Sequence, residues 1–549
     1  MEIDSGGCGM KAKRTPWFFV VCGTVVALLC SMIVFPLGHD QAIFEVGGRM
    51  IVKKSAIPYR DFLDMKQPLI FYIYGASNWL FGDHEWSIRV LDIIYHILTL
   101  SIFYRILRKG FQNQLIAGLS VLIYTLFYVG SGFWMTAQTE SFALLPSLVL
   151  LYCIFTQGES THSIQKTLGL SIAASVSIFL LMSLKFTLGI ILIPAAFFPL
   201  VNGRSDRKNS FIFVIMMIAV LIVLTGISFL WMQSVGAWEN FVSVTSWVMK
   251  YAAIYPLLSI DTFTNVYFHE FPANLVTSLS FTYFILCVSG IVLALKGLFN
   301  AQSGNSFVHL LLWMMLFSLF GVLVERKNFV YHYTRAVWTM APFIALSLVA
   351  IALYFRTLIK TKIPHSSRSR FFRISSATTI LFLGLLFSPL PRIISQSSAW
   401  GKRPLLDTQS QTVSNRTLAE GYADDKTYDA FASLKAKLKS GEEVFFWGNY
   451  VHFYIQTGTL PPTLCLANPQ LISPWTPMAW KQQMLKELVK AHPRFFVSED
   501  DDARPTISGT SQGSYKSLLA WPELRNYLFS NYVPIDSLKH FRIFSRIGS

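Results

Sequence analysis

Two carboxylates that each follow an apolar run are the residues whose type and position best suit chemistry. Asp40 comes just after the apolar stretch that begins at Trp17, and Glu140 follows another such stretch in WMTAQTESF. Ionisable groups at a membrane face are costly, and a carboxylate there can take the proton of an attacking hydroxyl. Alternatively, each is a helix-end acid that complements the helix dipole. Because both acids fall at one predicted surface, the pair suggests a general base more strongly than either acid does alone.

Basic residues accompany the two acids on the same predicted face. Lys66 precedes a proline that starts an apolar run, Arg60 and Arg89 flank it, and Lys185 lies between two apolar runs. Lysine offers phosphate a point charge and arginine a planar fork. Any one of these side chains could simply snorkel to the surface. Together they predict a phosphate-binding site at the level of the lipid headgroups.

Further candidates are weaker. His332 and Tyr333 lie in the late segment VERKNFVYHYTRAVW, although a lone histidine is more often structural. The basic residues of that segment, Arg326, Lys327 and Arg335, join the predicted phosphate-binding groups. Asp83, His84 and Glu85 form a ligand-like cluster, but adjacent residues rarely point at one ion. We therefore expect that no cofactor or metal is required, while a divalent metal stays conceivable.

Composition defines the elements that must position these residues. The chain has 549 residues, of which 53% are hydrophobic and 14% charged, against about 25% charged in soluble proteins. With a mean hydropathy of +0.46, soluble, disordered and fibrous classes are excluded. The net charge of +16 is scattered between apolar runs, which fits topology signals and anionic lipids rather than nucleic acid. The six cysteines show no spacing typical of disulfide frameworks or zinc sites.

The sequence predicts a mainly α, polytopic membrane protein, since a bilayer core needs about 20 apolar residues per helix. About eleven spans are predicted near 17–36, 87–107, 114–132, 141–156, 168–184, 187–201, 211–232, 272–295, 307–324, 337–355 and 375–393. Basic residues follow the second, sixth and tenth spans, at Arg105, Arg108, Lys109, Arg204, Arg207, Lys208 and in the loop from Arg356 to Arg373. The positive-inside rule then places the N-terminus in the cytoplasm and the tail outside.

Two segments are predicted to lie outside the cytoplasm. Residues 37–86 mix charges, proline and glycine with aromatic stretches, which is typical of amphipathic helices at the interface. Residues 394–549 have soluble composition, with strand-like runs at 442–448, 493–499 and 541–546 between helical patterns near 427–439, 480–491 and 516–528. We predict a membrane domain over 1–393 and a small extracytoplasmic α/β domain over 394–549.

Asp40, the stretch YRDFLDMKQPLIFYIYG and the segment YHYTRAVWTMAP together resemble the GT-C membrane glycosyltransferases. The chain is most similar to the protein O-mannosyltransferase-like group, which includes the lipid A aminoarabinose transferase and the lipopolysaccharide core galacturonosyltransferases. The resemblance covers mainly residues 17–200, with a weaker part at 310–355. Gln67 stands where the group often has proline, and Asp40-Gln41 where some branches have Asp-Glu.

This resemblance implies a hexosyl- or pentosyltransferase that takes sugar from a polyprenyl-phosphate donor, with inversion, at the outer face. It implies that Asp40 acts as the base or positions the acceptor, that Glu140 assists, and that Lys66 binds donor phosphate. The acceptor is then a hydroxyl of a glycolipid, polysaccharide or protein. The relatives suggest the bacterial inner membrane, with the C-terminal domain in the periplasm.

Three other functions stay open. A polyprenyl-linked glycan ligase or polymerase usually carries its main outer loop late in the chain, whereas here it follows the first span. A lipid or glycan transporter is expected to show inverted repeats and charges at mid-membrane. A scaffold whose outer domain binds a partner would tolerate the loss of Asp40 and Lys66. The sequence has no GxxxxGK[ST] motif, which argues against an ATP-driven pump.

Overall fold

The computed structural model describes residues 16–159, 162–201, 206–254, 264–296, 304–327, 329–362, 393–394, 425–439, 441–537 and 540–548. Within them, seven helices are long and apolar enough to cross a membrane: Trp17–Val34, Ser87–Phe111, Thr139–Glu159, Ile164–Leu184, Arg207–Ser234, Ser306–Glu325 and Val330–Tyr354. Shorter apolar helices are Leu69–Phe81, Gln114–Gly130, Phe186–Val201 and Phe281–Leu295. The chain is therefore a mainly helical, polytopic membrane protein, as predicted.

Local sequence explains where several helices begin and end. The α-helices before the tail are Pro16–Cys30, His39–Lys54, Leu69–Phe81, Ser87–Phe111, Gln114–Gly130, Thr139–Phe142, Leu144–Glu159, Ile164–Leu184, Leu192–Val201, Arg207–Ser234, Trp238–Ala253, Phe271–Leu279, Phe281–Leu295, Gly304–Glu325 and Thr334–Lys362. Short 3₁₀ turns occupy Ser31–Val34, Phe186–Ile191 and Val330–Tyr333, and a π-helical turn occupies Thr264–Glu270. Asn113 caps one helix by accepting hydrogen bonds from the backbone N–H groups of Leu115 and Ile116.

Ten of the eleven predicted spans correspond to helices, with two differences. The predicted span 272–295 is broken at Ser280, whose φ of 62° is left-handed and ends one helix before the next begins. Lys185 separates the predicted spans 168–184 and 187–201, and the second is short. The predicted span 375–393 lies outside the described residues, except for Ile393.

The predicted outer segment folds as two packed helices, His39–Lys54 and Leu69–Phe81. Glycines permit the close approach, since a Cβ on Gly48 would lie 2.7 Å from the backbone nitrogen of Gly75. The loop between the helices carries Lys66.

The tail forms an α/β domain around a four-stranded sheet, as predicted in class. Its strands are β1 (Val444–Trp447), β2 (Phe495–Glu499), β3 (Tyr532–Ser537) and β4 (Phe541–Arg546), in the order β1-β2-β4-β3. β1 and β2 are parallel, and the other pairs are antiparallel. Its helices are Asp425–Lys437, His452–Thr457, Pro469–Ile472, Met478–Ala491, Pro505–Ser508, Ser514–Ala520 and Pro522–Asn531. The sequence patterns missed β3.

The α/β domain packs on the outer helices and on the loop between them. The Leu63 backbone N–H donates to the Leu464 carbonyl at 2.9 Å, and the Lys54 ammonium lies 3.2 Å from Glu443. His452 Nε2 lies 3.0 Å from the carbonyl oxygen of Leu37, just before Asp40. The domain is thus at the same end of the helix bundle as the candidate site.

Candidate functional site

Several chain segments meet at one end of the helix bundle and bring the candidate residues together. Asp40 lies in the first turn of the helix His39–Lys54, and Lys66 lies two residues before Pro68 at the start of the next helix. Glu140 is in the first turn of the helix Thr139–Phe142, and Lys185 follows the span Ile164–Leu184. Residues distant in sequence thereby share one polar site.

Asp40, Lys66 and Tyr331 form the more accessible part of the site. The Lys66 ammonium is 3.4 Å from Asp40 Oδ2 and 3.3 Å from the Tyr331 hydroxyl. The Tyr331 hydroxyl also lies 3.3 Å from Asp40 Oδ2, to which it donates. The Asp40 side chain keeps 26% of its surface exposed and Lys66 only 12%. This trio places a carboxylate and an ammonium at one accessible point.

Asp40 and Lys66 each keep the other residue in its charged form. Burial alone would raise the pKa of Asp40, but the Lys66 ammonium, with His39, holds that pKa below its ordinary value. Burial likewise opposes the charge of Lys66, yet Tyr331 and Asp40 leave the pKa of Lys66 well above its ordinary value. A carboxylate and an ammonium therefore coexist across the neutral pH range.

A second, buried cluster lies beside the first. Lys185 pairs with Glu140 at 2.9 Å and with Glu325 at 2.7 Å. Arg335 pairs with the same two carboxylates at 2.8 and 2.7 Å. His332 Nδ1 lies 2.9 Å from Glu325 Oε2. Two acids and two bases thus form a charge-balanced network, as buried charges require.

The two clusters share Tyr331, because the Lys185 ammonium lies 5.8 Å from the centre of its ring. The Lys66 ammonium is 5.5 Å from the same ring and 5.9 Å from that of Phe44. Such contacts stabilise cations near aromatic faces. A negatively charged ligand bound at Lys66 would therefore also be attracted electrostatically by Lys185 of the buried cluster.

Glu140, Glu325 and His332 offer ligand atoms that lie within 4.8 Å of one another, close enough for one metal ion. Both carboxylates are already neutralised by Lys185 and Arg335. A cation at this point would have to displace those two partners. At the predicted weak cluster, Asp83 pairs with Arg49 at 2.5 Å and His84 stacks on Trp86. Among the described residues, Asp83, His84 and Glu85 do not form a group whose ligand atoms converge on one point.

Three predicted site residues lie elsewhere. Arg89 is fully buried, and donates to the Pro36 carbonyl at 2.5 Å and to Thr136 Oγ1 at 2.8 Å. Arg60 is exposed and pairs with Asp61. Tyr333 donates to the Phe271 carbonyl at 3.1 Å. Arg89 therefore braces the loops that carry Asp40 and Glu140, and none of the three joins the two clusters.

Glu325 and Tyr331 are the site residues that sequence reasoning missed. Both lie inside the segment VERKNFVYHYTRAVW, in which His332 was singled out. Glu325 ends an apolar helix, the same signal that identified Glu140, so it could have been found. Tyr331 carried no such signal, because its role depends on contacts with residues 265 and 291 positions away.

Comparisons with known proteins bear on the fold of the chain. The family described as dolichyl-phosphate-mannose-protein mannosyltransferase has a model that matches residues 65–229, a range that includes Lys66, Glu140 and Lys185. No curated protein sequence matches this chain significantly.

Two kinds of solved structure share the architecture. ArnT from Cupriavidus metallidurans, bound to undecaprenyl phosphate, matches at 11% identity with a TM-score of 0.55, over 98% of this chain and 99% of that one. AglB, an archaeal oligosaccharyltransferase from Archaeoglobus fulgidus, matches at 12% identity with a TM-score of 0.51, over 88% of this chain and 69% of that one. The chain has the fold of the GT-C membrane glycosyltransferases, as the sequence resemblance implied.

Proposed function

We propose that this chain is an integral-membrane glycosyltransferase that moves a sugar from a polyprenyl-phosphate donor to an acceptor hydroxyl, with inversion. The observation that carries the proposal is the contact of Asp40 with Lys66, at the end of a bundle that has the GT-C fold. The matched family and the polyprenyl phosphates in the two compared structures support this class of donor. The acceptor is a glycolipid, a polysaccharide or a protein.

The trio supplies both halves of such a transfer. Asp40 takes the proton of the acceptor hydroxyl while the hydroxyl oxygen forms a bond to the anomeric carbon of the donor sugar. The bond between that carbon and the donor phosphate oxygen breaks, and the lipid monophosphate leaves with the electron pair. Lys66 stabilises the charge that develops on the phosphate. The Tyr331 hydroxyl, which hydrogen-bonds to both side chains, fixes the positions of Lys66 and Asp40.

The buried cluster supports the reaction without touching the acceptor. Glu140 is fully paired with Lys185 and Arg335, so it is a poor base and instead fixes these cations. Lys185 lies next to Tyr331 and adds positive potential toward the phosphate. We therefore place Glu140 in the positioning apparatus, and Asp40 in the role of base.

We further propose that the reaction needs no metal, because Lys66 and the paired cations Lys185 and Arg335 supply the charge that a metal otherwise would. Activity is expected to survive a chelator and to be unchanged when Mg²⁺, Mn²⁺ or Zn²⁺ is added back. Loss of transfer in the chelator, with recovery on one of these ions, would instead assign the ion to Glu140, Glu325 and His332.

We propose the bacterial inner membrane as the location, with the site at the periplasmic face. There the polyprenyl donor and membrane lipids meet the site directly. The α/β domain, which packs on the Lys66 loop, then lies in the periplasm.

The test measures sugar transfer from a panel of labelled polyprenyl-phosphate sugars to a membrane glycolipid extract, in purified protein. We expect turnover of one donor by the native protein. Asp40→Asn and Lys66→Ala should each lower it at least about 100-fold, the lower range for a lost acid–base or charge-stabilising group. Only Lys66→Ala should also weaken donor binding.

Matched controls are Asp536→Asn and Lys486→Ala, which change exposed residues of the α/β domain. They should leave turnover within about twofold, as surface substitutions usually do. Equal turnover in native, Asp40→Asn and Lys66→Ala proteins would refute the assignment of these residues. If no donor is bound or turned over, the transferase proposal itself fails.

A further inference from the structure

A buried polar network lies inside the bundle, apart from the two clusters. Asp92 and His96, in the span Ser87–Phe111, are both completely buried. His96 Nδ1 lies 3.0 Å from Asp92 Oδ1, and the His96 ring stacks on Tyr128 with 4.0 Å between centroids. The Tyr128 hydroxyl donates to the Asp92 carboxylate, at 2.7 Å from Oδ2 and 2.9 Å from Oδ1. Ionisable groups in a membrane helix are costly and call for a function.

The network leads to the loop before Glu140. The Tyr128 hydroxyl accepts a hydrogen bond from the backbone N–H of Ala137 at 3.0 Å. From the opposite side, the Tyr74 hydroxyl donates to the Ala137 carbonyl at 2.9 Å. Tyr74 belongs to the second outer helix, so both backbone polar groups of Ala137 are held by tyrosines from different parts of the fold.

Ala137 needs such support because its backbone is strained. Its φ of 55° is left-handed, a conformation that costs a residue with a Cβ about 1–2 kcal/mol. Strained residues persist where the surroundings over-determine them, and they cluster at functional sites. Ala137 precedes the helix Thr139–Phe142, whose first turn holds Glu140, so its conformation sets the direction in which Glu140 enters the cluster.

We propose that Asp92, His96 and Tyr128 form a positioning device that clamps Ala137 in the left-handed conformation and so aligns Glu140 with Lys185 and Arg335. Asp92 orients the Tyr128 hydroxyl, and His96 packs on the ring while pairing with Asp92. None of the three touches Asp40 or Lys66. Their effect on catalysis rests on the proposed function, whereas their effect on the loop does not.

The loop itself gives a readout that is independent of activity. In Tyr128→Phe, amide hydrogen exchange in residues 131–143 should rise about fivefold, the factor expected for one lost hydrogen bond. Adding Ala137→Gly should reverse most of this rise, because glycine adopts a left-handed φ without strain. Asp92→Asn should act in the same direction but less, since an amide oxygen still accepts from Tyr128.

The matched control is Tyr454→Phe in the α/β domain, whose hydroxyl also accepts a backbone N–H, from Phe446 at 3.1 Å. It should leave exchange in 131–143 unchanged. No rise in Tyr128→Phe, a rise spread evenly over both membrane helices, or no recovery with Ala137→Gly would each overturn the clamp.

The catalytic consequence is measured separately with the active donor. Tyr128→Phe should lower kcat about tenfold and leave the donor dissociation constant within about twofold, because Lys66 is unaffected. In a Glu140→Gln background the same substitution should have little further effect, since the residue that it aligns is already lost. Additive losses would overturn the assignment to Glu140. If no donor is turned over, the exchange data still decide whether the clamp exists.

Discussion

At the scale of single residues, Asp64 gives the site a pH-dependent neighbour. Asp64 is buried, and its Oδ1 accepts a hydrogen bond from the Lys66 backbone N–H at 2.9 Å. Burial raises the pKa of Asp64 to about 7, although hydrogen bonds from the Lys66 backbone and the Lys66 charge oppose the rise. Asp64 is thus protonated below neutral pH and charged above it.

This pKa predicts how stability depends on pH. The unfolded chain loses the Asp64 proton near pH 4, whereas the folded chain keeps it until about pH 7. The unfolded state therefore binds fewer protons between these values, and stability falls as pH rises through that window. The Asp64 titration therefore contributes a fall in the melting temperature in detergent between pH 4 and pH 7.5.

Asp64→Asn removes this titration while its amide oxygen can still accept from Lys66, so the fall should become smaller. Other buried groups also shape the slope. Burial and Asp502 raise the pKa of Glu499 to about 8, which acts with the same sign as Asp64, whereas burial lowers the pKa of His39 to about 4, which acts with the opposite sign. Asp536→Asn serves as the control with an unchanged slope. An Asp64→Asn protein whose melting temperature falls as steeply as the native one would contradict the prediction.

The same scale shows what sequence can predict of a site. Asp40 and Lys185 were identifiable because an isolated charge at the end of an apolar run is costly without a purpose. In the structure Asp40 pairs with Lys66 in the accessible cluster, and Lys185 pairs with Glu140 in the buried cluster. Arg89 satisfied the same rule but lies among backbone carbonyls, since position along a helix does not reveal which way a side chain points.

At the scale of elements, the two outer helices set the distance between Asp40 and Lys66. Asp40 lies in the first turn of the helix His39–Lys54, and Lys66 lies three residues before the helix Leu69–Phe81. A Cβ at Gly48 would meet the backbone of the second helix, at 2.7 Å from Gly75 nitrogen and 2.8 Å from the Tyr74 carbonyl carbon. Backbone atoms cannot rotate away, so the helices would have to separate.

Gly48→Ala should therefore destabilise the protein by about 1–3 kcal/mol, the usual cost of overpacking. It should also lower kcat, because separated helices move Asp40 away from Lys66. Both effects are measured by thermal unfolding in detergent and by the transfer assay. Gly23→Ala is the control, since no atom lies within 4 Å of a Cβ there. Equal behaviour of the two variants would show that the helix contact does not matter.

Elements were predicted best where the pattern was long and regular. The strands near 442–448, 493–499 and 541–546 and the outer helices follow from apolar runs and amphipathic patterns. β3 was missed because only its first residue, Tyr532, is buried, so its sequence YVPIDS shows no alternation toward a core. The break at Ser280 was missed because a left-handed φ is usually signalled in a sequence by glycine, and this position is a serine.

At the scale of the whole molecule, the two ends of the bundle differ in character. Asp40, Lys185 and Arg335 share one end with the α/β domain, which contacts Leu37 and Lys54. At the opposite end of the bundle, Lys109 of the helix Ser87–Phe111 pairs at 2.7 Å with Glu159, the last residue of the helix Leu144–Glu159. Arg108 and Lys109 fall in the last turn of the span Ser87–Phe111. The positive-inside rule predicts that the Lys109 end is cytoplasmic, and on that ground we propose that the site faces outward.

That orientation can be measured by single-cysteine labelling in intact cells, with the six native cysteines replaced. Lys486→Cys, on an exposed face of the α/β domain, should react with a membrane-impermeant maleimide without treatment. Arg108→Cys, at the opposite end, should react only after the inner membrane is permeabilised. Both variants should keep transferase activity, since neither residue touches a cluster. The reverse labelling pattern would show that the site faces the cytoplasm. The polyprenyl donor and the acceptor would then have to reach the site from the cytoplasmic side.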